Sequence, residues 1–122
     1  FQAGFRNYVG LAGMESSITY LQNLGLDNIR KHIIKLSNLF IDEIGKMPES
    51  TIYVPKDESV RTSIVSFDIG KNNPETIVSE LAKKGIIIAK REIMDKPILR
   101  ISPHVFNTED EILKVIEELK KL

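Results

Sequence analysis

The sequence predicts an α+β fold: a four-stranded, mostly antiparallel sheet with its helices on one face, in the order α-α-β-β-α-β-β-α. Three observations lead there. Apolar residues recur at helical spacing from Asn7 to Gly45, the period turns to alternation after Pro48, and 122 residues suit one domain. Within that domain, residues 1–47 read as a two-helix lead-in and residues 48–122 as an α/β sandwich.

The first helix is capped by Asn7 and carries Leu11, Met14, Ile18 and Leu21 on one face. Gly10 and Gly13 lie about a turn apart and lower helix propensity by up to about 1 kcal/mol each relative to alanine. That cost points to close approach of another backbone, with this helix packed on both sides. Gly25 suits the C-cap, and Asp27 offers the next N-cap. Ile29, Ile33, Leu36, Phe40 and Ile44 form the stripe of a second helix that stops at Gly45 and Pro48.

Thr51–Val54 reads as a short strand ended by Pro55, and Lys56–Arg61 as an exposed charged loop. In Ser63–Ile69, Val65, Phe67 and Ile69 point one way and Ile64, Ser66 and Asp68 the other. Asn73-Pro74 is a cap followed by proline at the first helical position. The helix it opens buries Ile77, Val78, Leu81 and Ala82 and stops at Gly85. Ile86–Ala89 is β-branched and almost wholly apolar, which predicts an inner strand. Asp95-Lys96-Pro97 breaks the run before a strand over Ile98–Ser102. Thr108-Glu109-Asp110-Glu111 is a capping-box pattern opening a last helix that buries Ile112, Val115, Ile116 and Leu119.

Lysine plus arginine and aspartate plus glutamate each number 17, so the formal net charge is zero. This argues against a protein held to nucleic acid by phosphate neutralisation. No apolar run approaches the ~18 residues of a bilayer span, so a soluble, cytoplasmic protein is expected. Without cysteine there is no disulfide, thiolate metal site or sulfur nucleophile. The chain opens on Phe1 rather than methionine, which suggests a piece of a longer polypeptide.

By residue chemistry alone there is no complete catalytic set. His32 and His104 lack the spacing of a metal-ligand pair, and no carboxylate cluster completes a site. No strained Gly-x-Ser-x-Gly turn supports a triad through His104, and the glycines form no phosphate loop. Arg100 stands apart. On its strand Leu99 and Ile101 face one way and Ile98, Arg100 and Ser102 the other. A guanidinium on so rigid an element suits bidentate capture of a carboxylate; the alternative is an arginine snorkelling over the sheet.

Phe1-Gln2-Ala3-Gly4-Phe5-Arg6-Asn7 followed by a glycine-bearing helix resembles the segment entering the C-terminal region of class V aminotransferase-like enzymes. These pyridoxal-phosphate proteins include cysteine desulfurases, selenocysteine lyases and isopenicillin-N epimerase-like proteins. Leu99-Arg100-Ile101-Ser102-Pro103-His104-Val105-Phe106-Asn107-Thr108-Glu109-Asp110-Glu111 resembles their closing strand, turn and last helix, and the likeness spans essentially the whole chain. It implies that Arg100 binds the α-carboxylate of an amino-acid substrate. It implies that Gly4 and Phe5 match a Gly-Thr pair that touches the cofactor phosphate of the neighbouring subunit in a homodimer. With Phe5 in place of threonine, only a backbone N–H could make that contact.

The resemblance also implies that desulfurases carry a nucleophilic cysteine before the last strand. The matching stretch here, Lys90–Lys96, has none, so persulfide formation by that route is excluded for this segment. Elimination, epimerisation, transamination and selenium release stay open. The Schiff-base lysine and most cofactor ligands of such enzymes lie in a large upstream domain, so pyridoxal phosphate is expected on the full-length parent and not on this chain alone. Lys90 and Lys96 read as loop charges. A different class of reading also fits Thr51–Leu122: a stand-alone ferredoxin-like module that binds a small ligand or dimerises.

Overall fold

In the computed structural model of the chain, residue 4, residues 6–70 and residues 72–122 are described. They fall into two compact units, Phe1–Lys31 and His32–Leu122. The elements follow the predicted order. They are α1 (Tyr8–Leu24), α2 (Leu26–Ile44), β1 (Thr51–Tyr53), a 3-10 turn at Glu58–Val60, β2 (Val65–Asp68), α3 (Pro74–Lys83), β3 (Ala89–Ile93), β4 (Lys96–Ile101) and α4 (Glu109–Lys120).

In the first unit the Asn7 side chain accepts the Gly10 N–H at 2.9 Å, which fixes the start of α1. A Cβ on Gly10 would lie 2.6 Å from Asn7 Nδ2. The glycine therefore makes room for its own cap. Nothing lies within 4 Å of a Cβ built on Gly13, and α1 contains no buried residue. Leu11, Met14 and Ile18 of α1 are exposed in this chain taken alone, as expected of a face that would meet a further domain. α1 ends at Gly25, whose φ of 83° an L-residue rarely adopts. The Gly25 carbonyl accepts the Ile29 N–H at 3.0 Å, so α2 begins at Leu26. Asp27 then lies inside the first turn, where it complements the helix dipole instead of capping.

The second unit holds the sheet, in the order β1-β2-β4-β3, and all three pairings are antiparallel. One face is covered by helices. Leu36, Phe40 and Ile44 of α2, Ile77 and Leu81 of α3, and Ile112, Ile116 and Leu119 of α4 pack with Val65, Phe67, Leu99 and Ile101 in one core. Phe40 and Phe67 meet edge to face, 4.9 Å between ring centres. Asn73 caps α3 through the Glu75 N–H at 2.9 Å. The Thr108–Glu111 capping box forms as the sequence predicts. Ala82 is exposed, because it lies off the buried line of Ile77 and Leu81.

The principal correction falls between α3 and β4. Residues 86–88 are irregular chain, not an inner strand: Ile86 and Ile88 are buried while Ile87 is 84% exposed. The strand begins at Ala89, runs to Ile93 through residues read as loop, and lies at the sheet edge. A two-residue turn, Met94 and Asp95 with φ of 48° and 62°, joins it to β4. Positive φ at both central residues matches the right-handed twist of a tight hairpin. β4 therefore starts at Lys96, two residues earlier than expected, and accommodates Pro97 opposite Glu92.

Candidate functional site

The ladder places Arg100 in the middle of the sheet. Ser66 of β2 is opposite it on one side and Ala89 of β3 on the other. Tyr53 of β1 extends the row beyond Ser66. Leu99 and Ile101, on either side of Arg100 in the chain, belong to the helix-covered core. Arg100 therefore projects from the opposite, open face. Its immediate cross-strand neighbours are both small, which leaves the guanidinium lateral room.

Arg100 is half-buried, and its Nε is buried with no hydrogen-bond partner. Among the described residues the guanidinium forms neither an ion pair nor a hydrogen bond. A buried charged donor left unpaired costs more than an ordinary lost hydrogen bond, and such a group marks a place where an acceptor belongs.

One row further along this face lie Asp68, Ile98 and Arg91, and Lys96 follows beyond Ile98. Lys96 Nζ pairs with Asp68 Oδ2 at 2.8 Å and donates to Tyr53 Oη at 3.0 Å. These hydrogen bonds hold the Lys96 amine well above its ordinary range, Asp68 contributing most. Burial pushes the Asp68 carboxyl up, but hydrogen bonds from Lys96 and from the Gly70 N–H outweigh it and hold the group below its usual value. Ile98 is 1% exposed, although it lies on the open face outside the main core.

The turn after β4 is braced. Nε2 of His32 donates to the Asn107 carbonyl at 2.9 Å, the His104 N–H donates to Asn107 Oδ1 at 2.9 Å, and Asn107 Nδ2 donates to Glu111 Oε2 at 3.0 Å. Asn107 thus ties the Ser102–Asn107 segment to α4. A shallow hollow of about 110 Å³ lies between this segment, Ile87 and Ile88, and the helix; Arg100 does not line it. Among the described residues no group of three or more metal-ligating side chains could hold an ion.

Residues 1–115 match the family model for aminotransferase class-V. The chain belongs to that family. It is 26% identical over 131 residues to a cysteine desulfurase of Enterobacter sp. (strain 638) and 25% identical to a cysteine desulfurase of Escherichia coli O127:H6; each alignment covers all of this chain and 32% of the relative. Among solved structures, the apo cysteine desulfurase of Thermococcus onnurineus NA1 superposes with a TM-score of 0.91 at 22% identity. The S-sulfonic acid form of CsdA from E. coli superposes with a TM-score of 0.88 at 19% identity. Each covers 99% of this chain and 32% of that one. The chain therefore spans about a third of the length of the relatives it matches. Among the described residues no helix is long and apolar enough to cross a membrane.

Membership implies pyridoxal phosphate in the full-length relatives. The described residues of this chain do not by themselves suit it. Lys90 pairs with Glu75 at 3.2 Å, and Lys96 is held charged by Asp68 and Tyr53. Both amines are engaged in ion pairs. Gly4 is exposed, with φ of 81° and nothing within 4 Å of where a Cβ would lie. Phe5, the other residue expected at a cofactor phosphate, lies outside the described residues.

Sequence reasoning singled out Arg100 but missed Tyr53, Ser66, Ala89 and Arg91 around it. For the last two the alternation Ala89, Arg91, Ile93 was the available signal. It was masked by a charged composition that reads as loop.

Proposed function

We propose that this chain is the substrate-gripping C-terminal domain of a pyridoxal-phosphate-dependent amino-acid lyase or transferase, in which Arg100 binds the α-carboxylate of the substrate. The orphaned guanidinium carries this reading. A side chain that served only the fold would be paired or fully solvated, whereas this one holds a buried unpartnered Nε on a rigid strand. A carboxylate can accept two parallel N–H bonds from such a fork. The small flanking residues Ser66 and Ala89 leave room for it.

The cofactor, bound by the other two thirds of the polypeptide, supplies the electron sink when present. This domain orients the amino acid. With no cysteine in the chain and a two-residue turn where the desulfurase loop is expected, the domain supplies no thiolate for persulfide formation. The reaction is accordingly a lyase or transfer reaction that needs no enzyme thiol from this segment. Gly4, through its backbone N–H, is assigned to the neighbouring subunit's cofactor phosphate in a homodimer.

The test is steady-state kinetics of the full-length protein. Arg100→Ala should raise KM for the amino-acid substrate roughly 10- to 150-fold, the range of one charge-assisted bidentate pair, with cofactor absorbance unchanged. An unaltered KM would remove Arg100 from the site. The stand-alone ligand-binding module predicts instead that the chain with no further segment is a functional unit.

A further inference from the structure

We propose that the open sheet face selects an amino acid bearing a second acidic group, with Arg100 taking the α-carboxylate and Arg91 the side-chain anion. The inference rests on the assignment of Arg100 above and goes beyond it to the substrate class.

Arg91 is paired with Ile98 across the β3–β4 ladder, while Ala89 is paired with Arg100. Arg91 and Arg100 are therefore diagonal neighbours on one face, their backbones about 7–8 Å apart. Side chains of this length can converge on two anionic groups of a single small molecule. The space between them is not filled by another long side chain, because the residue beside Arg100 on β3 is Ala89.

The charge inventory of the face is unbalanced. Its cations are Arg91, Lys96 and Arg100, and its one anion among the described ladder residues is Asp68. Lys96 takes up Asp68. Glu92, adjacent to Arg91 in the chain, has the opposite strand parity and faces the helix side. Two guanidinium groups remain without an anion. Arg91 makes no ion pair among the described residues; its Nη1 rests on the carbonyl of Lys90 at 2.8 Å. That exposed neutral contact can be exchanged for a ligand carboxylate, since a charge-assisted hydrogen bond is roughly twice as strong.

Ile98, opposite Arg91 and two residues before Arg100 on β4, is 1% exposed. It supplies an apolar floor, and charge pairs formed over such a floor are less screened than pairs in open water. Two cations around a dry centre suit a dianion better than a monocarboxylate. A four- or five-carbon dicarboxylic amino acid such as aspartate or glutamate presents two carboxylates on one small molecule.

The second anion has one rival source, the cofactor phosphate, and the experiment separates the two. Binding of L-aspartate, L-glutamate and L-alanine to the full-length holoprotein is measured by calorimetry for wild type, Arg91→Ala, Arg91→Lys and Arg100→Ala. Cofactor retention on dialysis is followed by absorbance. The proposal expects aspartate or glutamate to bind at least about tenfold tighter than alanine. It expects Arg91→Ala to abolish that ratio while leaving alanine unchanged, Arg91→Lys to keep part of it, and cofactor retention to stay at the wild-type level. Equal binding of all three ligands by wild type, or an equal loss for all three in Arg91→Ala, overturns it. Cofactor loss in Arg91→Ala overturns it in favour of the phosphate. Arg100→Ala weakens acidic and neutral ligands alike; if it weakens neither, the α-carboxylate assignment fails, whatever Arg91 does.

Discussion

Replacing Arg100 with methionine should stabilise the fold while abolishing the proposed grip on substrate. Methionine keeps an unbranched stem of similar reach and carries no donor. The buried Nε that it removes has no acceptor, and an unsatisfied buried donor costs about 1–3 kcal/mol. The gain should fall at the low end, about 1 kcal/mol, because the side chain is only half-buried and its terminal nitrogens keep access to water. A urea dependence of about 1–3 kcal/mol per molar converts this to a rise in the unfolding midpoint of roughly 0.3–1 M. The chain contains no tryptophan, so far-ultraviolet circular dichroism is the appropriate probe. Arg91→Met is the control: an exposed residue held by one neutral contact should shift stability by no more than about 0.5 kcal/mol. A fall in midpoint for Arg100→Met of the size expected for the rise would refute the reasoning, because the guanidinium would then be holding the sheet together.

Two further predictions use the same apparatus. Met94 and Asp95 both occupy left-handed backbone, which costs L-residues roughly 1–2 kcal/mol each; Met94→Asn combined with Asp95→Gly, the pair this turn prefers, should raise stability by about 1 kcal/mol, and an unchanged urea midpoint would mean that the hairpin turns some other way. Hydrogen bonds from Lys121 and Lys84 hold the Glu118 carboxyl at about 2, against an ordinary 4.5. A folded value below the unfolded one means that this contribution is complete above about pH 4.5 and is lost as pH falls towards 2. Glu118→Gln should flatten the thermal midpoint across that acid window, and a profile parallel to wild type would show the cluster to be inert.

The order of elements could be read from the sequence because each helix announces itself in local chemistry. Asn7, Asn73 and Thr108 are caps whose bonds form as expected, and the period-2 pattern of β2 matches its burial. The β3–β4 hairpin could not be read in the same way. Ile86–Ile88 has strand composition, yet Ile86 and Ile88 serve the core from irregular chain. The true strand is an edge whose exposed residues include the charged Arg91 and Glu92, and charge is common on edges open to solvent. Its turn carries Met-Asp where the sequence signal for such a turn is Asn-Gly or Asp-Gly. Arg100 was legible as a polar residue alternating with apolar neighbours on a strand. That its Nε lacks a partner was not, because pairing depends on which side chains the ladder brings to the same face. The ladder sets Ser66 and Ala89 beside Arg100 and lets Lys96 reach Asp68 instead.

The hairpin also limits where covalent chemistry can come from. From Arg100 to Lys96 is four residues of strand, about 13 Å at the usual rise, and the turn lies beyond. With only Met94 and Asp95 in that turn, the tip has no slack to fold back over the guanidinium. A reactive group carried on a longer loop could approach a substrate held at Arg100; one placed at this tip could not unless the β3–β4 pairing from Ala89 to Ile93 opened.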